Sequence, residues 1–178
     1  ARDSSRKIQA IFKARMQDGK RVSPSVPYGY RRDPQDKQHL IVDEEAAAVV
    51  RRIFQMVIDG YGVKGIADAL TADKVLIPSA YAKLHNPEND HSKGFHDPCL
   101  WSSTAVGYIL EKQEYMGHTV LGKTICENYK TKKRRKAKPE ELMIFRDTHE
   151  AIVDEETWQL AHRLKKTIRK PSYPDRPA

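Results

Sequence analysis

The sequence predicts an α+β fold: a mainly helical, helix-turn-helix-like domain with a small antiparallel β-sheet. Three observations carry this expectation. Residues 44–59, EEAAAVVRRIFQMVID, begin with an acidic pair and carry a wide apolar stripe. A glycine turn, GYG at 60–62, separates that stripe from a second short amphipathic segment. Short apolar runs bounded by Pro, Gly and Asp flank this pair, and they are of strand rather than helix length.

The elements follow in order. From Asp3 to Asp18 the residues Ile8, Ile11, Phe12 and Met16 fall on one helical face, with Arg2, Arg6, Lys7, Lys13 and Arg15 largely around it, and Gly19 ends the helix. KRVSPSVP, residues 20–27, has two prolines, two serines and the adjacent cations Lys20 and Arg21, the composition of an extended arm. Two short strands are expected at Tyr28–Arg31 and Leu40–Val42 around a Pro-containing turn. Asp43 is a good N-cap for the long helix, and Glu44 and Glu45 suit its positive end. Val49, Val50, Ile53, Phe54, Val57 and Ile58 form its buried face, and Gly60 terminates it. VKGIADALTAD then gives a short helix with Ile66, Ala67 and Leu70 facing inward. A helix, a tight glycine turn and a second short helix match the first part of a helix-turn-helix.

Residues 78–99 are polar and read as a loop. LWSSTAVGYILEKQEYMG, residues 100–117, then starts a third helix, capped by Ser102 or Ser103 and running through Glu111, with Val106, Ile109 and Leu110 buried and Trp101 anchoring it. Tyr115 to Ile125 alternates enough for a strand or hairpin. KTKKRRKAK, residues 130–138, is a charge block expected to be solvated and mobile. MIFRDTHEAIV suggests a strand plus turn, with His149 a packed turn residue. Asp154 caps a last helix whose apolar set is Trp158, Leu160, Ala161 and Leu164. The expected organisation is a connecting helix over 1–19, an arm over 20–27, one domain over 28–168 and a flexible tail over 169–178.

Composition narrows the partners. The 178 residues carry 32 Lys and Arg against 24 Asp and Glu, a net charge of +8, which favours a polyanion and nucleic acid over a membrane surface. Only 8% of residues are aromatic, so the core is small for the length. Two cysteines, Cys99 and Cys126, with no CxxC pattern, exclude a self-contained zinc ribbon and fit a reduced cytoplasmic setting. No apolar run approaches the ~18 residues that span a bilayer.

The chemistry-bearing groups mostly have plainer roles. His85, Asp90, His91, His96, Asp97 and Cys99 share one loop, but no pair has structural-zinc spacing, so no metal and no cofactor is expected. Glu140, Glu141, Glu155 and Glu156 sit beside helix starts and lack a partner acid or nucleophile. Neither HExxH nor GxSxG occurs, and no catalytic residue is assigned. The candidate contacts are to double-stranded DNA. Ser102, Ser103 and Thr104 start a helix whose free N–H groups can meet phosphates or base edges, although a cap needs only one of them. Lys20 and Arg21 suit a minor groove, and Lys64 and Lys123 are further cationic candidates. Lys130, Lys132, Lys133, Arg134 and Arg135 suit phosphates, because dense cations without aromatics track a backbone rather than read bases.

GKRVSPSVPYGY, LIVDEEAAAVVRRIFQM, GIADAL, WSSTAVGYILEKQEYMG and THEAIVDEETW, taken in this order over about residues 19–160, resemble the recombinase domain of large serine recombinases, the phage and conjugative-transposon integrases. The resemblance implies binding of attachment-site DNA for integration or excision of a mobile element. It implies that Arg2–Asp18 ends a long helix leading out of a serine catalytic domain, and that the last helix leads into a zinc ribbon. Neither a nucleophilic serine motif nor paired zinc cysteines occur in this sequence. The loop at 78–99 is longer than the family's pattern. A monomer is expected, its parent acting as a dimer or tetramer on DNA. The alternatives are a free-standing helix-turn-helix transcriptional regulator and a basic protein-interaction or RNA-binding module.

Overall fold

The computed structural model describes residues 2–21, 25–85, 96–128 and 133–167. It is α+β, as the sequence predicts, with six helices and three two-stranded antiparallel ladders among the described residues. The chain divides into two compact units, each assembled from two separate stretches: residues 1–43 with 113–152, and residues 44–112 with 153–178.

In the second of these units, α2 (Glu44–Ile58) buries Ala46, Ala47, Val50, Ile53, Phe54 and Val57. Glu44 and Glu45 lie in its first turn, where the helix dipole favours negative charge. Gly60, at φ +92°, ends it, while Tyr61 N–H donates back to Met56 O at 2.9 Å. α3 (Val63–Ala72) buries Ile66, Ala67 and Leu70. α4 (Pro78–His85) departs from the sequence expectation: part of the stretch read as loop is a helix that buries Ala80 and Tyr81. Its Pro78 stands at the first helical position, where a missing N–H costs nothing. α5 (Ser103–Leu110) buries Val106, Ile109 and Leu110, and α6 (Glu155–Thr167) buries Ala161. Asp154 caps α6, its carboxylate accepting from Thr157 N–H at 2.7 Å. α2 packs on α3, α5 and α6, and α5 packs on α3 and α6.

The other unit opens with α1 (Arg2–Gln17), which leaves Ile11 and Phe12 exposed. β1 (Tyr30–Arg32) pairs with β2 (Leu40–Val42) in the register Tyr30 to Val42. A 3-10 turn over Gln113–Met116 precedes β3 (Thr119–Leu121). β3 then pairs with β6 (Met143–Phe145), not with the strand that follows it. The neighbouring strand β4 (Thr124–Asn128) instead pairs with β5 (Lys133–Lys136). This corrects the sequence reading twice. The single small sheet is three separate ladders, and the block expected to be solvated and mobile contains a strand. The reason is pairing: extended backbone needs a ladder partner rather than apolar side chains, and Thr124–Asn128 supplies one.

Candidate nucleic-acid interface

In the second unit the sequence candidates converge on α5. Trp101, only 4% exposed, fastens its start. The indole Nε1–H donates to Val75 O at 2.9 Å, and Trp101 N–H donates to the Thr71 hydroxyl at 3.0 Å. Ser102 is the cap. Its Oγ accepts from Ala105 N–H at 3.1 Å, with extended backbone at φ −102°, ψ 148°. Of the next two residues, Thr104 is exposed and Ser103 is half-buried. One turn further along, Tyr108 is 57% exposed, a residue that sequence reasoning missed. Its signal is its position four residues after Thr104, which places both on one helical face. Gly107 lies beside it, with open space where a side chain would begin.

The C-terminal end of α5 is held as well. Trp158 Nε1–H donates to Lys112 O at 3.2 Å, and His162 stacks on the same indole with centroids 4.0 Å apart. Lys165 pairs with Glu111 at 3.2 Å. The exposed tip therefore offers hydroxyls that donate or accept, on a helix fixed along its other side. Lys64 lies on α3, largely exposed, and pairs with Asp68 at 2.8 Å. The metal candidates disperse: His85 Nδ1 is 3.0 Å from Tyr81 O, and Asp97 accepts from Cys99 N–H at 2.8 Å. Asp90 and His91 lie outside the described residues. Among the described residues no group of three His, Cys, Asp or Glu could hold a metal ion.

In the other unit the basic candidates separate by what they touch. Lys20 is exposed, 3.8 Å from Asp18. Arg21 does not project as the side chain of a free arm. Its Nε and Nη1 atoms are shielded from solvent, and burial pushes its pKa down while the Glu114 charge pushes it up. Glu114, 5% exposed, also takes the ammonium of Lys123 in a direct ion pair. Sequence reasoning missed Glu114, which draws on two predicted contact residues at once. Arg134 is exposed. Arg135 turns to Glu141 and donates through Nη1 and Nη2 at 2.7 Å each. Lys133 stands in β5, and Lys130 and Lys132 lie outside the described residues.

Beneath these groups is a packed polar core. Tyr30 stacks on Tyr115 with ring centroids 6.1 Å apart and meets the His149 ring edge-on at 4.8 Å. Its hydroxyl donates to Glu150 O at 2.8 Å and accepts from Ile152 N–H at 3.3 Å. His149 lies 2.9 Å from Glu114 O through Nε2 and 2.9 Å from Thr148 Oγ1 through Nδ1. A carbonyl only accepts, so Nε2 carries the proton and Nδ1 accepts from the threonine. His149 is thus the packed turn residue that the sequence indicates. Gly117, at φ +84°, admits this turn: a Cβ there would meet His149 O at 2.6 Å.

The family model described as Recombinase matches residues 44–167, more than half of the chain, and the protein belongs to that family. The match begins with α2 and ends with α6, the two helices that pack against each other. A solved structure described as "Crystal Structure of a LSR-DNA Complex" is similar at 16% identity, with a TM-score of 0.46. The similarity covers 89% of this chain and 38% of that one. No curated protein matches. Among the described residues no helix is long and apolar enough to cross a membrane.

Proposed function

We propose that this chain is the DNA-binding domain of a site-specific serine recombinase, recognising duplex attachment-site DNA in the cytoplasm for integration or excision of a mobile element. Strand exchange itself belongs to a serine elsewhere in the parent protein. In this reading α2, its glycine turn, α3 and α5 act as a helix-turn-helix, and the tip of α5 enters the major groove. The observation that supports it most directly is the division of labour at that tip. Trp101 and Ser102 hold the helix, and Thr104 and Tyr108 stand clear on one exposed face. Family membership and the net charge of +8 point the same way.

The test is enrichment of duplexes from a randomised pool by the 178-residue chain, followed by binding to single-base-pair variants of the enriched sequence. Thr104→Ala and Tyr108→Ala are expected to keep the fold and relax discrimination at one or two base pairs, by about 1–3 kcal/mol each. Ser102→Ala is expected to cost about 1 kcal/mol of stability and leave discrimination intact. No enrichment over the starting pool refutes the reading. Enrichment with full discrimination retained by both face variants moves recognition away from α5.

A further inference from the structure

The basic block forms one side of a two-stranded ribbon, and the ladder sorts its charges. β5 pairs antiparallel with β4 in the register Thr124 to Lys136, Ile125 to Arg135 and Cys126 to Arg134. Alternate residues of a strand point to opposite faces. Arg134 and Lys136 therefore share a face, and both are exposed, while Arg135 lies on the other face and is half-buried. Lys138 follows two residues on, exposed and still extended at φ −74°, ψ 159°.

The two faces differ in how their charges are met. Thr124 and Cys126 stand opposite Lys136 and Arg134 in the ladder. Arg135, by contrast, makes a two-pronged pair with Glu141. Glu141 also accepts from Lys138 N–H at 2.7 Å, and its own N–H donates to Lys138 O at 3.0 Å. The Arg135 hydrogen bonds, with the Lys138 N–H adding to them, hold the Glu141 carboxyl at about 2, so the pair stays charged well into acid. At the base of the ribbon, Gly122 lies between β3 and β4 at φ +75°, with Glu141 O 3.5 Å from where its Cβ would be. Ala137 N–H closes the base of the ribbon on Lys123 O at 3.0 Å. The ribbon is thus tied at its base by Arg135 and Glu141, and a row of cations stands on its outward face.

We propose that the β4–β5 ribbon is a second DNA-binding element, in which Arg134, Lys136 and Lys138 lie on backbone phosphates while Arg135 serves as a positioning residue that fixes the ribbon through Glu141. A strand advances about 3.4 Å per residue, so cations on one face repeat about every 7 Å and reach different phosphates. A two-stranded ribbon also fits a B-DNA groove. The inference rests on the DNA-binding reading above and sharpens it. It divides the basic block into cations that meet phosphate and one that supports them, and it gives the ribbon affinity without sequence preference.

The experiment measures binding of a fluorescein-labelled random-sequence duplex between about 50 and 200 mM salt. It compares the wild-type chain, the triple variant R134Q/K136Q/K138Q, the single variant R135E and the swapped pair R135E/E141R, with far-ultraviolet circular dichroism to check folding. The triple variant should flatten the log–log salt slope by about 2 to 3, near 0.9 for each phosphate that is no longer neutralised, and leave base-pair discrimination unchanged. R135E should lose affinity and the swapped pair should recover it, since the face cations are intact and the brace is rebuilt in reverse. A wild-type chain that binds no duplex defeats the DNA-binding reading itself. A wild-type chain with a steep slope that the triple variant keeps overturns the ribbon proposal alone. Failure of the swap to recover binding shows that Arg135 touches DNA directly and overturns its positioning role. Displacement of the duplex by single-stranded RNA at equal concentration transfers the ribbon to a different partner and also overturns the proposal.

Discussion

Thr71→Val isolates one hydroxyl that ties two helices together. The Thr71 side chain donates to Ala67 O at 2.8 Å and accepts Trp101 N–H at 3.0 Å. The first bond is a local back-bond to a carbonyl that the helix ladder of α3 already serves, so its loss costs little. The second is the acceptor for a half-buried backbone donor, and an orphaned donor costs about 1–3 kcal/mol. Valine keeps the shape and the β-branching, so no cavity forms and helix propensity is nearly unchanged. Partial solvent access keeps the expected loss in the lower half of that range, about 1–2 kcal/mol, or roughly 5- to 30-fold in the folded-to-unfolded ratio. The Trp101 indole bond to Val75 O remains, so the effect is graded rather than total. Thr71→Ser keeps the acceptor and removes only a half-buried methyl, for less than about 1 kcal/mol. The assay is urea unfolding followed by far-ultraviolet circular dichroism on the three proteins. A valine variant as stable as wild type refutes the coupling. A serine variant as damaged as the valine one assigns the effect to packing instead.

Two further outcomes are expected. Phe54→Ala removes a ring that is 1% exposed on α2 and should cost about 3–5 kcal/mol in guanidinium unfolding; a loss under about 1 kcal/mol would show that the site collapses or is misplaced. Burial holds His149 below the ordinary imidazole value, and the Arg21 charge adds to this against the opposing hydrogen bond to Glu114 O. Below about pH 6.5 the unfolded chain therefore takes up a proton that the folded chain resists, so stability is full above that pH and falls on acidification. His162 is displaced in the same direction, by burial and then by Lys165 and Lys166. His149→Gln should make the fall between about pH 7 and pH 5 shallower, and a urea midpoint that rises on acidification would contradict this account.

What is legible in the sequence is what local chemistry decides. The acidic start of α2, its apolar stripe and Gly60 are all local signals, and the helix lies where they place it. Ser102 and Asp154 are caps because their oxygens reach an N–H three residues on, a distance measured along the chain. β5 is not legible, because Lys133–Lys136 has no apolar alternation, and its strand character comes from pairing with Thr124–Asn128. α4 carries a readable sign, Pro78 at its start, outweighed by the polar residues that follow. The fates of Arg21, Lys123 and Arg135 depend on Glu114 and Glu141, acids that charge counting treats as part of a total. Tyr108 is easily overlooked because an aromatic in an apolar helix reads as core, and only its spacing from Thr104 argues otherwise.

The pairing of α2 with α6 has a consequence for the newborn chain. Roughly a hundred residues of chain separate the two helices. At synthesis rates of about 5–20 residues per second, α2 waits roughly 5–20 s at the ribosome before α6, one of the three helices that pack on it, has been made. A message that stops before Glu155 leaves α2 with α3 and α5 against it but without α6, so part of its apolar side stays open to water.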